Sequence, residues 1–250
     1  MSKENPNVII LTSGISGSSV LTGLISRAGY WLGDVTHKKE YDTYENQELI
    51  DLDLQLFKQS EYKGNYAMEF SPTAIDRISA LKGVVDGRPF REFLRKCEIH
   101  RPWVWKDPRL WMTIRFWNDL LNHDDCKFIL MTRSFSHAWV SSILRRHIRS
   151  YKSLKRYEQS IKDSLIAYLD ETKKSYLHIT YENLIVHPET TILKLNAYLG
   201  TSLSVDDLKA IYHLPLYKIP RSSPIDYLKA VLIYLKNYSE RMDIAESAKQ

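Results

Sequence analysis

Ser16-Gly17-Ser18-Ser19 follows the apolar run Val8–Leu11 and opens the next helical pattern. The stretch offers three hydroxyls and a row of backbone N–H groups. The N–H groups of a first helical turn have no partner within the helix, and together with the helix dipole they favour an anion. Gly14 and Gly17 can take dihedrals closed to other residues and let a ligand approach the main chain. A second run, Phe128–Thr132, closes on Arg133, with Ser141 eight positions further on. A guanidinium forks onto phosphate oxygens, and a hydroxyl on the following helix can add a bond. Together the two segments read as grips for two phosphates of one nucleotide. The first taken alone is equally a plain glycine-serine turn. Gly17 is followed by Ser18 rather than Lys, so the nucleoside-triphosphate loop of metal-dependent kinases is not matched.

The elements that must position these groups alternate between strand and helix. Val8–Leu11, Trp103–Lys106, Lys127–Thr132 and Tyr176–Thr180 are short apolar runs of the kind that fill a buried parallel sheet. Between them, helical spacing covers Ser18–Ala28, Tyr44–Phe57, Ser71–Leu81, a short piece from Pro89 to Cys97, Asp107–Leu121, Ser136–Arg149 and Leu154–Lys173. Pro188–Leu199, stopped by Gly200, and Ile225–Tyr238 complete the set. Gly33–Asp42 reads as a polar loop over the site. The expected fold is α/β, a parallel central sheet flanked by helices, in a single domain over residues 1–250.

Composition excludes several classes. With 44% hydrophobic and 26% charged residues the chain is an ordinary globular one, and its formal charge of +5 suits an anionic ligand. No unbroken Lys/Arg block points to nucleic acid. Cys97 and Cys126 are the only cysteines, and the eight histidines show no metal-site spacing, so neither a disulfide framework nor a metal is expected. No apolar run is long enough for a signal core or a membrane span, which gives a cytoplasmic expectation.

Three further stretches extend the pattern: Tyr44-Glu45-Asn46-Gln47-Glu48, Trp105-Lys106-Asp107-Pro108-Arg109-Leu110, and Tyr181-Glu182-Asn183-Leu184 with Pro188 and Leu199-Gly200 behind it. With the two phosphate segments they resemble, in order over roughly residues 7 to 200, the bacterial branch of the sulfotransferase family. That resemblance implies that the α/β fold, a parallel central sheet flanked by helices, is of the P-loop nucleotide-binding type, with 3′-phosphoadenosine 5′-phosphosulfate (PAPS) as donor, its bisphosphate PAP as product, and no metal. It implies that the first loop holds the 5′-phosphosulfate and that Arg133 and Ser141 hold the 3′-phosphate. It also places Tyr181 against the adenine and Glu45 as the base. One departure stands out. The family usually carries Lys or Arg immediately before the Ser-Gly of the first loop, and this chain has Ile15.

Lys106, at a strand end beside the presumed crevice, is the candidate cation for the leaving group. His37 is the alternative base. Asp107 reads as a helix cap and Arg109 as structural. Lys218, Arg221, Ser222 and Ser223 form a polar turn that either closes over the 3′-phosphate or is simply exposed. The expected acceptor is the hydroxyl or amine of a small molecule, sugar or lipid, with no nucleic-acid partner. The Ile225–Tyr238 helix either packs on the sheet or forms a homodimer surface. A metal-dependent kinase and a non-catalytic PAPS- or PAP-binding protein are the competing functions.

Overall fold

Four apolar runs pair side by side, and β1 and β5, at the centre, bury both faces in the parallel sheet they form. In the computed structural model, which describes residues 5–38, 42–122, 125–212 and 224–241, β1 (Asn7–Leu11) leads to α1 (Ser18–Ser26). A hairpin of β2 (Thr36–Lys38) and β3 (Asp42–Asn46) follows, then α2 (Gln47–Gln59), α3 (Pro72–Ser79) and α4 (Arg88–Ile99). Next come β4 (Val104–Lys106), α5 (Leu110–Trp117), β5 (Cys126–Thr132), α6 (Phe135–Leu144) and α7 (Tyr151–Glu171). The described chain ends with β6 (Tyr176–Thr180), α8 (Tyr181–Val186), α9 (Pro188–Leu199), α10 (Val205–Tyr212) and α11 (Pro224–Lys236).

The sheet order is β4-β1-β5-β6, with every pairing parallel. Alternation along the strands separates two cores. Val8, Ile10, Val104, Ile129 and Met131 face the layer of α1, α8, α9 and α10. Ile9, Leu11, Trp105, Phe128 and Leu130 face the layer of α2 to α5 and α7. The second core is aromatic: Trp105 stacks on Trp103 at 4.6 Å and meets Trp117 edge-on at 5.1 Å. Such contacts add specific geometry to large apolar burial. A third, smaller cluster joins α6 to α11.

The expected strands all form, and so do the α/β class and the parallel sheet. Boundaries shift where a polar side chain claims the backbone. Tyr44–Asn46 is strand rather than helix, because Asn46 accepts the N–H groups of Glu48 (3.0 Å) and Leu49 (3.4 Å) and so starts α2 one residue later. The stretch read as a polar loop carries β2. Asp107 takes the Arg109 N–H at 2.8 Å, and α5 begins beyond it, at Leu110. The helix expected to reach Arg149 ends at Leu144, and Arg146 then takes a positive φ of 64°.

Trp117 Nε1 donates to Asp53 Oδ1 at 2.8 Å, and Asp53 is fully buried. Trp117→Phe keeps an aromatic ring, though a smaller one, and removes that donor from a buried carboxyl. Urea unfolding should show a loss of about 1–3 kcal/mol, the usual penalty for a stranded buried polar group.

Candidate active site

A parallel sheet delivers the C-terminal ends of its strands to one edge, and every principal candidate stands there. β1 opens into Thr12–Gly17, β4 ends on Lys106, β5 is followed by Arg133, and β6 by Tyr181. Gly14 (φ 114°) and Gly17 (φ 81°) both adopt left-handed geometry. At Gly17 a Cβ would lie 2.2 Å from Tyr181 Cδ2, and at Gly14 it would meet Pro108 Cβ at 3.4 Å. A side chain at Gly17 would therefore displace the tyrosine ring. That same ring carries the Arg133 guanidinium, 4.7 Å from its centroid. Gly17 and Arg133, from segments far apart in sequence, thus rest on one tyrosine.

Tyr181 is buried between them, so its ring supports the two loops. Burial pulls the Arg133 pKa below its ordinary value, although a guanidinium remains charged at neutral pH. Its Nε is buried with no hydrogen-bond partner among the described residues, a donor that an anion would satisfy. Ser141 is half-buried on α6, and its hydroxyl makes no hydrogen bond among the described residues. At the first loop, Ser16 is buried with its hydroxyl bonded to Thr12. Ser18 and Ser19 form the first turn of α1. Arg221, with Lys218, Ser222 and Ser223, lies outside the described residues.

Lys106 is 2% exposed. Its Nζ donates to Glu45 Oε1 at 2.5 Å and to Ser19 Oγ at 3.2 Å, which brings a cation to the first turn of α1. Glu45 is aimed there by β3 and by Tyr44, whose φ of 55° is unusual for a bulky residue. The Tyr44 ring fits over Gly23 of α1, where a Cβ would come within 2.9 Å. Glu45 is therefore a buried ion-pair partner in a strand. His37, on β2, engages Gln47 Oε1 through Nδ1 at 3.2 Å. Asp107 caps its turn, and Arg109 both pairs with it at 2.8 Å and lies over the Tyr66 ring at 4.8 Å. Among the described residues no cluster of three or more His, Cys, Asp or Glu is placed to hold a metal.

Two carboxylates unforeseen in the sequence complete the site. Glu182 Oε1 and Oε2 accept the Ser134 N–H, both at 3.2 Å, and Oε1 also meets His137 Nδ1 at 2.8 Å. Burial alone would raise its pKa, but the hydrogen bonds from His137 and Ser134 outweigh it and hold the carboxyl below its usual range. Its position at the start of α6, beside Arg133, complements the helix dipole. Glu158, from α7, accepts the Ser13 hydroxyl, and its Oε1 is buried without a hydrogen-bond partner among the described residues. Burial pushes its pKa up, against the opposing pull of the Ser13 hydrogen bond, Arg149 and Arg133.

Lys106→Met should destabilise the protein by about 3–5 kcal/mol, because Glu45 is left buried without its cation. Adding Glu45→Gln should restore most of that loss in chemical denaturation. Glu158 makes a pH-dependent contribution. A carboxyl whose pKa is raised on folding stabilises at low pH and loses that contribution as pH rises through its folded pKa. Glu158→Gln should therefore raise the thermal midpoint by a few degrees at pH 8, where about 1 kcal/mol moves a protein of this size by about 2–4 °C. The gap should close towards pH 4.

No family model matches the chain, and no curated protein does. Among solved structures, the sulfotransferase domain of the Synechococcus PCC 7002 olefin synthase superposes with a TM-score of 0.50 at 19% identity, covering 85% of this chain and 79% of that one. The sulfotransferase domain from the curacin biosynthetic pathway follows at TM-score 0.49 and 14% identity, over 84% of this chain and 79% of that one. Sulfotransferase STF9 from Mycobacterium avium gives 0.47 at 12% identity, over 85% and 68%. The chain has the α/β fold of a sulfotransferase domain.

Proposed function

We propose that the protein is a sulfotransferase that moves a sulfuryl group from PAPS to the hydroxyl or amine of a small-molecule, sugar or lipid acceptor. The observation that carries this is the shared seat of Gly17 and Arg133 on Tyr181, which sets two anion grips at one strand edge. The fit to a doubly phosphorylated nucleotide is favourable. The first loop keeps two left-handed glycines at a helix start, and the second holds a buried guanidinium nitrogen that lacks a partner among the described residues. Gly14, Ser16, Gly17, Ser18 and Ser19 would hold the 5′ end, and Arg133 with Ser141 the 3′-phosphate.

PAPS supplies a sulfuryl group on a phosphate leaving group. Lys106 takes the place of the basic residue missing at Ile15, and its Nζ neutralises charge that develops at the first loop. Losing one preorganised contact of this kind typically costs about 10²–10³ in rate. Glu45 holds Nζ in the resting state. As Lys106 turns to the leaving oxygen, Glu45 is released to accept the acceptor proton. Ile15 and the neutralisation of Lys106 by Glu45 favour one second reading, a PAPS- or PAP-binding protein with weak or no turnover.

Incubation with PAPS and a panel of hydroxylated acceptors should release PAP without added magnesium, and Lys106→Ala should lower turnover more than binding. Retained PAP binding with no release for any acceptor would favour the binding protein. Arg133→Ala should weaken PAP in calorimetry far more than the analogue lacking the 3′-phosphate. Equal losses for both nucleotides would remove Arg133 from that role.

A further inference from the structure

One ionisable group beside the site takes no part in holding the nucleotide or in the transfer. Glu158 projects from α7 onto the loop that follows β1, where it and its neighbour hold Ser13 at two polar groups. Glu158 Oε2 accepts the Ser13 hydroxyl. The Tyr157 hydroxyl stands 3.3 Å from the Ser13 carbonyl oxygen and 2.8 Å from that of Tyr66. The other carboxyl oxygen of Glu158, Oε1, is buried without a hydrogen-bond partner among the described residues. A cavity between the ends of β1 and β5 is lined in part by Ser13, Thr132, Glu158 and Lys162, with a volume of about 10 Å³. That admits a single water at most, so Glu158 acts on a ligand through its charge rather than by contact.

The charged groups that the described residues bring to Glu158 are all positive. They are Arg133 from the loop after β5, Arg149 ahead of α7, and Lys162 one turn along its own helix. Tyr157 stays neutral, since burial pushes its phenol up. The two arginines and the Ser13 hydroxyl sustain the carboxylate against its burial. A doubly phosphorylated nucleotide would undo that balance. One phosphate would neutralise Arg133, and the other would add negative charge to the loop that contains Ser13. A unit charge at roughly 8 Å, in an effective dielectric of about 20, moves a proton equilibrium about 30-fold. Both changes favour the protonated acid.

We propose that Glu158 couples nucleotide binding to protonation: the carboxylate of the empty site takes one proton from solvent at Oε1 as the two phosphates arrive. Only the new O–H bond forms, and Oε2 remains the acceptor for Ser13. The residue thereby sets how much negative charge the site admits, a role that rests on the proposed sulfotransferase function. Because the bound form holds the extra proton, affinity falls as pH rises through the pKa that Glu158 has in the complex.

Calorimetric titration of PAP into the full chain at pH 7.5, in buffers of different ionisation enthalpy, counts the protons. The phosphates are already ionised there. Wild type should take up roughly half to one proton more per PAP than Glu158→Gln, which keeps an acceptor for Ser13 but cannot titrate. From pH 7 to 8.5 the wild-type affinity should fall about three- to ten-fold, while that of Glu158→Gln stays level. His137→Asn removes the titratable imidazole paired with Glu182 and should leave the uptake as in wild type. Equal uptake in wild type and Glu158→Gln overturns the proposal, as does its loss in His137→Asn. Wild type that binds PAP with no uptake overturns it as well, even if Glu158→Gln fails to fold, and leaves the sulfotransferase function standing. No binding of PAP at all overturns that function, and the proposal with it.

Discussion

An ammonium group cannot be held at the end of a buried strand unless an anion stands beside it, and the arrangement of the site follows from that need. Lys106 closes β4 inside the protein, where an unpaired charge would be strongly disfavoured. Glu45 answers it, but only because Tyr44 departs from ordinary strand geometry and directs the following residue inward. The hairpin, the start of α2 and the first turn of α1 are thereby tied to one ion pair. The pair also stands at the first turn of α1, where Lys106 bonds the Ser19 hydroxyl.

The loop that carries Arg133 is organised by packing rather than by charge. Tyr181 fills the space above Gly17 and supports Arg133 from below. Glu182, the next residue, occupies the start of α6 as its resident anion and bonds His137. Consecutive residues at the end of β6 therefore serve different elements, one the loop after β1 and the other the loop after β5. This coupling lets loops from three strands act as one surface.

Much of this was legible in the sequence. Val8–Leu11 and Phe128–Thr132 were readable because strands buried on both faces appear as unbroken apolar runs. Pro188 and Gly200 bracket α9 as written, and Ser71 caps α3 as expected. The β2–β3 hairpin was not legible, since Asp42-Thr43-Tyr44-Glu45-Asn46 is polar and gains its strand character only from pairing. Neither α8, a six-residue helix, nor α10, in a stretch given no element by the spacing, was expected. Glu158 was invisible because its partner Ser13 lies 145 residues away. Nothing local marks a glutamate on a long helix as different from its solvated neighbours, whereas Glu182 at least stood in a motif already singled out.

The sheet order bears on how the chain is made. β1 lies at the centre, yet its neighbours are supplied much later: Val8 pairs with Val104, and Asn7 with Cys126. On a ribosome the glycine-bearing turn has no neighbouring strand to rest against until Val104–Lys106 has been synthesised. Distant pairing of this kind slows folding and leaves apolar edges open to wrong partners. The nascent Asn7–Leu11 segment is thus the stretch a chaperone would be expected to shelter, and the edge formed by the ends of β1, β4 and β5 cannot assemble before Thr132 has been made.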